Sequence, residues 1–268
     1  LIMVCMNRNE MLLKTLPSWL NYDSIKQIII VDWSSKDPLI NNEKFKNLLS
    51  LNQKIDLIRV EDQKTFNQGR AYNVAIKYVK YDVIIKADAD YELKDINFIE
   101  IVSNIKFKEC FMTGGNVKEG SQKYLNGFVI VGTEEFKSVN GYRETHTGWG
   151  FDDDDFYNRV EERIPRLIIE GVDNYILHNI HTDKLRTENY IITDPLLSHL
   201  LNSSKSTKTN TITFQYNTIS TDSTNRITIL KAIEQKTNPL VLQSAYGYEL
   251  IFRKFSELES MLPCLKKE

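Results

Sequence analysis

The run VIIKADAD, Val83 to Asp90, is an apolar stretch that ends in two aspartates set two apart. A short continuous apolar run rich in β-branched residues suits a strand buried on both faces. Side chains alternate along a strand, so Asp88 and Asp90 point the same way if the extended geometry continues. Two carboxylates aimed at one point repel each other, and a hard divalent cation removes that conflict. The alternative is that one aspartate caps the next turn while the other is solvated.

Working back from Val83, the chain alternates strand-like and helix-like segments. LIMVCM (Leu1 to Met6), IKQIIIVDW (Ile25 to Trp33) and IDLIRVE (Ile55 to Glu61) read as strands. Between them, MLLKTLPSWL (Met11 to Leu20, disturbed by Pro17), NEKFKNLLSL (Asn42 to Leu51) and NQGRAYNVAIKYVK (Asn67 to Lys80) read as helices. This alternation predicts an α/β fold with a mostly parallel, Rossmann-like central sheet flanked by helices. Ligands of such sheets bind beyond the carboxyl ends of the strands. The polar residues there are Asn7 and Arg8, Asp32 with Ser34 and Ser35, and Asp88 with Asp90.

From about Asp95 onward the pattern changes. FMTGGNV and NGFVIVGT read as strands joined by a polar stretch, and EEFKSVNGY as a short helix closing at Gly141. GWGFDDDDFYNR, Gly148 to Arg159, then places four aspartates, Asp152 to Asp155, inside an aromatic frame of Trp149, Phe151, Phe156 and Tyr157. Acidic runs are usually solvated surface or linker, but disordered acidic segments lack aromatics. Phe156, Val160 and Ile164 recur at steps of four, so the aspartates open a helix whose free N–H groups favour negative charge. Asp155 is expected to act there as a first-turn dipole partner. Further on, NYILHNIH and the residues after it hold His178 and His181. In a strand, positions three apart face opposite ways, so one ion would meet only one of them unless a turn intervenes. A Ser/Thr/Lys/Asn-rich stretch, Asn202 to Asn210, marks a boundary. It divides a domain of residues 1–201 from a C-terminal α/β extension, 202–268, with an alternating run TITFQYNTI and a helix-like YELIFRKFSELESML. No site motif is legible in that extension.

The totals agree with a globular domain. With 41% hydrophobic residues in 268, the chain can bury a sizeable core. Its 34 basic and 36 acidic residues give a formal net charge of −2, no electrostatic reason to propose a nucleic-acid partner. Cys5, Cys110 and Cys264 form no close pair, which argues against a disulfide framework or zinc knuckle and fits a reducing, cytoplasmic setting. No apolar run reaches the roughly 18 residues that span a bilayer. The start inside LIMVCM reads as that of a trimmed or excised domain.

A strand ending in Arg8, VDWSS after the second strand, GRAYNVAI, DAD, and NGY followed by GWGFDDDDFYNR occur in that order. Over Leu1 to Lys184 the chain resembles inverting glycosyltransferases of the GT-A fold. It is similar to family 2 enzymes, β-1,4-galactosyltransferases and chondroitin-polymerase-type enzymes. The resemblance implies a metal-dependent transfer of a sugar from a UDP-sugar to a hydroxyl of a glycan or glycosylated acceptor. It implies that Arg8 and Asp32 contact the nucleotide, and that Arg70 and Asn73 lie near the diphosphate or donor sugar. Asp88 and Asp90 match the motif that holds Mn²⁺ or Mg²⁺ on the diphosphate, with Asp90 the direct ligand, and His181 rather than His178 completes the sphere. Trp149 matches an aromatic near both sugars, Asp152 and Asp153 the acidic pair with Asp153 as general base, and Asp154 an acceptor contact. Asp152 stands where galactosyltransferases have Glu, and Phe151 where a small residue is usual, so the donor sugar is not carried over. Two other readings fit part of the pattern. One is a retaining transferase or nucleotidyltransferase, and the other a catalytically silent nucleotide- or carbohydrate-binding domain of a larger enzyme.

Overall fold

The computed structural model of the chain describes residues 1–95, 97–115, 124–146, 148–206 and 215–233. The helix expected over Tyr248 to Leu262, the polar stretch at 116–123 and most of the Ser/Thr-rich stretch lie outside the described residues. Leu1–Ala232 form one compact unit.

The strand–helix alternation is realised from the first residues. It runs β1 (Ile2–Cys5), α1 (Asn9–Leu20), β2 (Ile28–Trp33), α2 (Glu43–Leu51), β3 (Ile55–Glu61), α3 (Gln68–Ile76) and β4 (Val83–Lys86). After these come β5 (Tyr91–Leu93), α4 (Asn97–Ser103), β6 (Phe111–Gly114), β7 (Val129–Gly132), α5 (Thr133–Ser138) and α6 (Asp152–Glu161). Next are β8 (Arg166–Ile169), α7 (Val172–Tyr175), β9 (Ile176–His178), α8 (Asp183–Thr187), α9 (Pro195–Ser206), β10 (Tyr216–Asp222) and β11 (Ile227–Ala232).

Nine strands form the central sheet in the order β10-β11-β3-β2-β1-β4-β7-β6-β8. β11, β3, β2, β1 and β4 are parallel to one another, and β7 enters antiparallel between β4 and β6. The strand order reverses direction at β1 and β4, which is where a crevice opens in such sheets. β1 shows why its sequence is apolar throughout. Met3 and Cys5 pack into the core on one face, Ile2 and Val4 into that on the other, and all are buried. α1 covers the first face with Leu12, Leu16 and Trp19, and Trp19 Nε1 donates to the Tyr91 carbonyl at 2.8 Å. The helix runs unbroken through Pro17 to Leu20. No helix among the described residues is long and apolar enough to cross a membrane.

Two local outcomes differ from the sequence expectations. β4 stops at Lys86 instead of extending through Asp90, because the Tyr91 N–H closes a turn onto the Asp88 carbonyl at 3.0 Å and the chain enters β5. β5 pairs with β9 in a separate two-stranded sheet. The start of the Ser/Thr-rich stretch, Asn202–Ser206, completes α9 instead of forming a loop. Beyond it, β10 and β11 form an antiparallel pair that extends the central sheet beside β3.

Candidate active site

A cavity of about 270 Å³ opens at the carboxyl ends of β1 and β4. It is lined by Asp88, Asp90, His178 and His181 together with Trp149, Phe151 and Asp152–Asp154.

Asp88 and Asp90 both line the cavity from the turn after β4, and the groups around them differ. Asp90 is buried, with Oδ2 at 2.8 Å from His181 Nε2, 3.6 Å from His178 Nε2 and 3.6 Å from Arg8 Nη1. Burial works against its charge, but hydrogen bonds from the two histidines and the Arg8 charge outweigh it and hold the carboxyl well below the usual range. Asp88 Oδ1 lies 3.0 Å from Lys86 Nζ and accepts from Tyr72 OH at 2.9 Å.

The histidines also depart from the strand expectation. β9 ends at His178, opposite Tyr91, and the Asn179 N–H bonds the Asp90 carbonyl at 2.9 Å. With the strand ended there, both His178 and His181 reach the same Asp90 carboxylate. One ligand atom from each of Asp90, His178 and His181 lies within 4.8 Å of the others. The donor set, one carboxylate oxygen and two imidazole nitrogens, suits a first-row divalent ion. Asp90 Oδ1 is buried with no hydrogen-bond partner among the described residues, and His181 Nδ1 lies 3.1 Å from the Thr182 carbonyl, so a proton placed on Nδ1 would free the Nε2 lone pair, now hydrogen-bonded to Asp90, for an ion. The residues present therefore fit a cation.

Also at the cavity, α6 opens at Phe151, whose φ of 68° is left-handed. For a residue with a Cβ that conformation costs about 1–2 kcal/mol. Its ring meets His199 of α9 edge-on at 5.4 Å, and both line the cavity. Asn202 of the same helix donates to the Gly150 carbonyl at 2.8 Å, fixing the loop that carries Trp149. The four aspartates then take different environments. Asp152 is buried at the head of the helix, and burial together with the Asp153 charge pushes its carboxyl up to about 8. Asp153 Oδ1 accepts from Tyr142 OH at 2.9 Å and Lys86 Nζ at 3.1 Å. Burial raises its carboxyl too, and the Lys86 charge opposes that rise. Asp154 is half-buried at the cavity wall. Asp155 faces away from the cavity. It is buried against Arg143 Nε at 2.7 Å and Arg159 Nη2 at 2.6 Å. The expected first-turn dipole partner is thus one corner of a buried ion cluster.

Arg8 lines the cavity, while its Nη2 donates to the Leu185 carbonyl at 2.8 Å. Asp32, Arg70 and Asn73 do not line it. Asp32 is fully buried and accepts from Ser35 N, Leu39 N and Arg59 Nη1 at 3.0, 3.0 and 2.8 Å. Asn73 bridges Tyr142 and Glu144, with Nδ2 at 2.8 Å from the Tyr142 carbonyl and 3.0 Å from Glu144 Oε1. Arg70 sits within the charge influence of Glu144 and Tyr216. Sequence reading gave no role to Lys86, Tyr142, Phe66, Tyr124 and His199. Tyr142 stood in the NGY segment, and Lys86 carried a signal as a lysine inside an apolar run, since a buried lysine requires partners.

Two family models match the chain. Residues 1–128 match the glycosyl transferase family 2 model, and residues 109–182 a galactosyltransferase model described as its N-terminal domain. The chain is 27% identical over 114 residues to bovine (Bos taurus) β-1,4-galactosyltransferase 1, covering 41% of this chain and 28% of that one. It is 28% identical over 104 residues to β-1,4-galactosyltransferase 7 of Drosophila melanogaster, covering 38% of this chain and 32% of that one. The chain thus spans about a third of the length of these curated relatives. Among solved structures, it superposes on the catalytic domain of the Drosophila β-1,4-galactosyltransferase 7 in complex with xylobiose. The TM-score is 0.56 at 15% identity, over 88% of this chain and 93% of that one. A mutant of that enzyme in complex with manganese, UDP-Gal and xylobiose gives a TM-score of 0.56 at 16% identity, over 88% and 94%.

The fold is therefore GT-A. Within that fold, residues 1–128 resemble family 2 glycosyltransferases and residues 109–182 resemble galactosyltransferases.

Proposed function

We propose that this domain transfers a sugar from a UDP-sugar to an acceptor hydroxyl with inversion, using a divalent cation and Asp153 as general base. The observation that carries the reading is that one cavity is lined both by a candidate cation cluster, Asp90, His178 and His181, and by the carboxylates Asp152 to Asp154. Inversion requires the leaving group and the base on opposite faces of the donor sugar, because the acceptor attacks the anomeric carbon from the side opposite the leaving group. Asp90, His178 and His181 would hold Mn²⁺ or Mg²⁺, which supplies positive charge for a leaving diphosphate. Arg8, beside Asp90, adds a fixed charge at the same wall. Asp153 Oδ1 is held by Lys86 and Tyr142, so Oδ2, beside Gly127 of the cavity wall, accepts the hydroxyl proton. Asp152, with its carboxyl raised to about 8, stays largely protonated at neutral pH and donates a hydrogen bond to a sugar hydroxyl. Trp149, with Tyr124 edge-on at 6.3 Å, offers a ring on which a sugar face stacks and from which water is excluded. A UDP nucleotide and a glycan acceptor suit these walls and agree with what the Drosophila relative's complex contains.

The test is UDP release from a panel of UDP-sugars with Mn²⁺, with and without glycan acceptors. Asp90→Ala is expected to abolish metal-dependent UDP binding in calorimetry. Asp153→Asn is expected to keep that binding and lower transfer by about 10²-fold or more. Binding of UDP without release from any UDP-sugar would favour a silent binding domain. A product that retains its anomeric configuration would refute the inverting reading.

A further inference from the structure

We infer that Lys86 is a positioning residue that locks Asp153 to Asp88 across the floor of the cavity; as a role in transfer, this rests on the reading of Asp153 as the base. Lys86 ends β4 and its side chain is fully buried, yet it does not line the cavity. An ammonium has three donors. Here each meets one acceptor: the Gly127 carbonyl at 2.6 Å, Asp88 Oδ1 at 3.0 Å and Asp153 Oδ1 at 3.1 Å. The Tyr72 ring lies beneath the charge at 4.9 Å.

Stability alone does not call for a lysine at this place. Replacing a buried ion pair by packed apolar side chains is often neutral or stabilising, and Ile84 and Ile85 show what the rest of the strand prefers. What the lysine does supply is a fixed relation between two carboxylates from distant parts of the chain. Asp88 belongs to the turn after β4 and Asp153 to the first turn of α6. Around Gly127 the packing is tight: a Cβ built there would lie 2.9 Å from Asp88 Oδ2 and 3.3 Å from Asp153 Oδ2. Without a cation between them, two carboxylates held this close would swing apart. With Lys86 and Tyr142 both on Oδ1, the Asp153 carboxylate has one orientation, and Oδ2 alone is left to take a proton. A side chain held by two buried donors keeps the geometry that general-base chemistry requires.

Two double-mutant cycles test this, one on folding and one on rate. Lys86→Met removes the ammonium and keeps the length of the side chain. In urea unfolding, Lys86→Met leaves both carboxylates uncompensated, so adding Asp153→Asn is expected to restore about tenfold or more of the lost folding equilibrium constant. Because the double variant removes a cation together with one of its anions, it is the form expected to fold if Lys86→Met alone does not. Additive losses, or a double variant less stable than both single ones, would overturn the positioning role, and this arm needs no activity. In transfer assays, Lys86→Met is expected to lower kcat about tenfold or more, with the donor KM within about threefold, because the partners of the ammonium, Gly127, Asp88 and Asp153, do not include Asp90, His178 or His181. In the Asp153→Asn background the same change is expected to cost less than about threefold. An equal rate loss in both backgrounds would mean that Lys86 acts independently of Asp153, and the inference fails. A parent protein that releases no UDP while the folding cycle shows coupling would refute the transferase reading and leave the Lys86–Asp153 lock standing.

Discussion

Asp155→Asn separates two physical roles that the same carboxylate could play. A charge in the first turn of a helix contributes only about 0.3–1 kcal/mol. Asp155 instead receives Arg143 Nε on Oδ1 at 2.7 Å, and Arg159 Nε and Nη2 on Oδ2 at 2.9 and 2.6 Å. Arg159 also donates to the carbonyls of Val139 and Gly141 at 2.6 and 2.7 Å, so the cluster ties α6 to the chain after α5. The carboxylate is 3% exposed. Removing one partner of a buried ion cluster leaves guanidinium charge uncompensated and costs about 3–5 kcal/mol. Asparagine retains one acceptor oxygen, so the lower end, about 3 kcal/mol, is expected. For a unit of this size that is a fall in Tm of about 6–12 °C. Urea and thermal unfolding at neutral pH measure it. The pH dependence has a definite sign. Burial raises the Asp155 carboxyl, but Arg159 and Arg143 outweigh it and hold it below its ordinary value. Its stabilisation is therefore present above the unfolded value of about 3.9 and is lost as pH falls through the lower folded value. The gap between parent and variant should narrow in strong acid. UDP–metal binding by the folded variant should be unchanged, since Asp155 does not line the cavity. A loss under about 1 kcal/mol at neutral pH would show that the carboxylate acts only as a helix-end charge, and the ion-cluster argument would fail.

Two further outcomes follow from the same site. The Asp152 carboxyl is raised to about 8, so its protonated form is favoured on folding, and that contribution fades as pH climbs from its unfolded value through 8. Asp152→Asn should leave stability near the parent's below the unfolded value of about 3.9 and exceed it at pH 8 while transfer falls; a difference independent of pH would rule this out. Gly127→Ala would put a methyl group 2.9 Å from Asp88 Oδ2 and 3.0 Å from Tyr91 OH. It should cost about 1–3 kcal/mol in unfolding and lower transfer, and a variant as stable and as active as the parent would show that the floor of the cavity gives way easily.

Local patterns in the sequence were enough for the architecture. The continuous apolar runs of β1, β2 and β4 follow from burial on both faces, and the intervening segments have helical period, so a parallel sheet with a crevice at its carboxyl ends was legible from residue order alone. The acidic run at a helix start was legible for the same reason, since Phe156 and Val160 recur at helical spacing and both are buried. Tertiary structure decided which side chains meet. Asp88 and Asp90 are two residues apart but meet different partners, Lys86 and Tyr72 for one and His178, His181 and Arg8 for the other, after the strand ends at Lys86. His178 and His181 share one carboxylate because β9 ends between them, and a break in periodicity leaves no mark on composition. Asp152 to Asp155 are alike in sequence, and only the elements that approach them set their roles. Lys86 comes from β4, Tyr142 from the loop before α6, and Arg143 and Arg159 close on the far side. A residue's own neighbours in sequence fix its backbone, but its charge state and reach depend on groups brought from tens of residues away. Those long-range contacts follow from how the layers pack, and no window of sequence contains them.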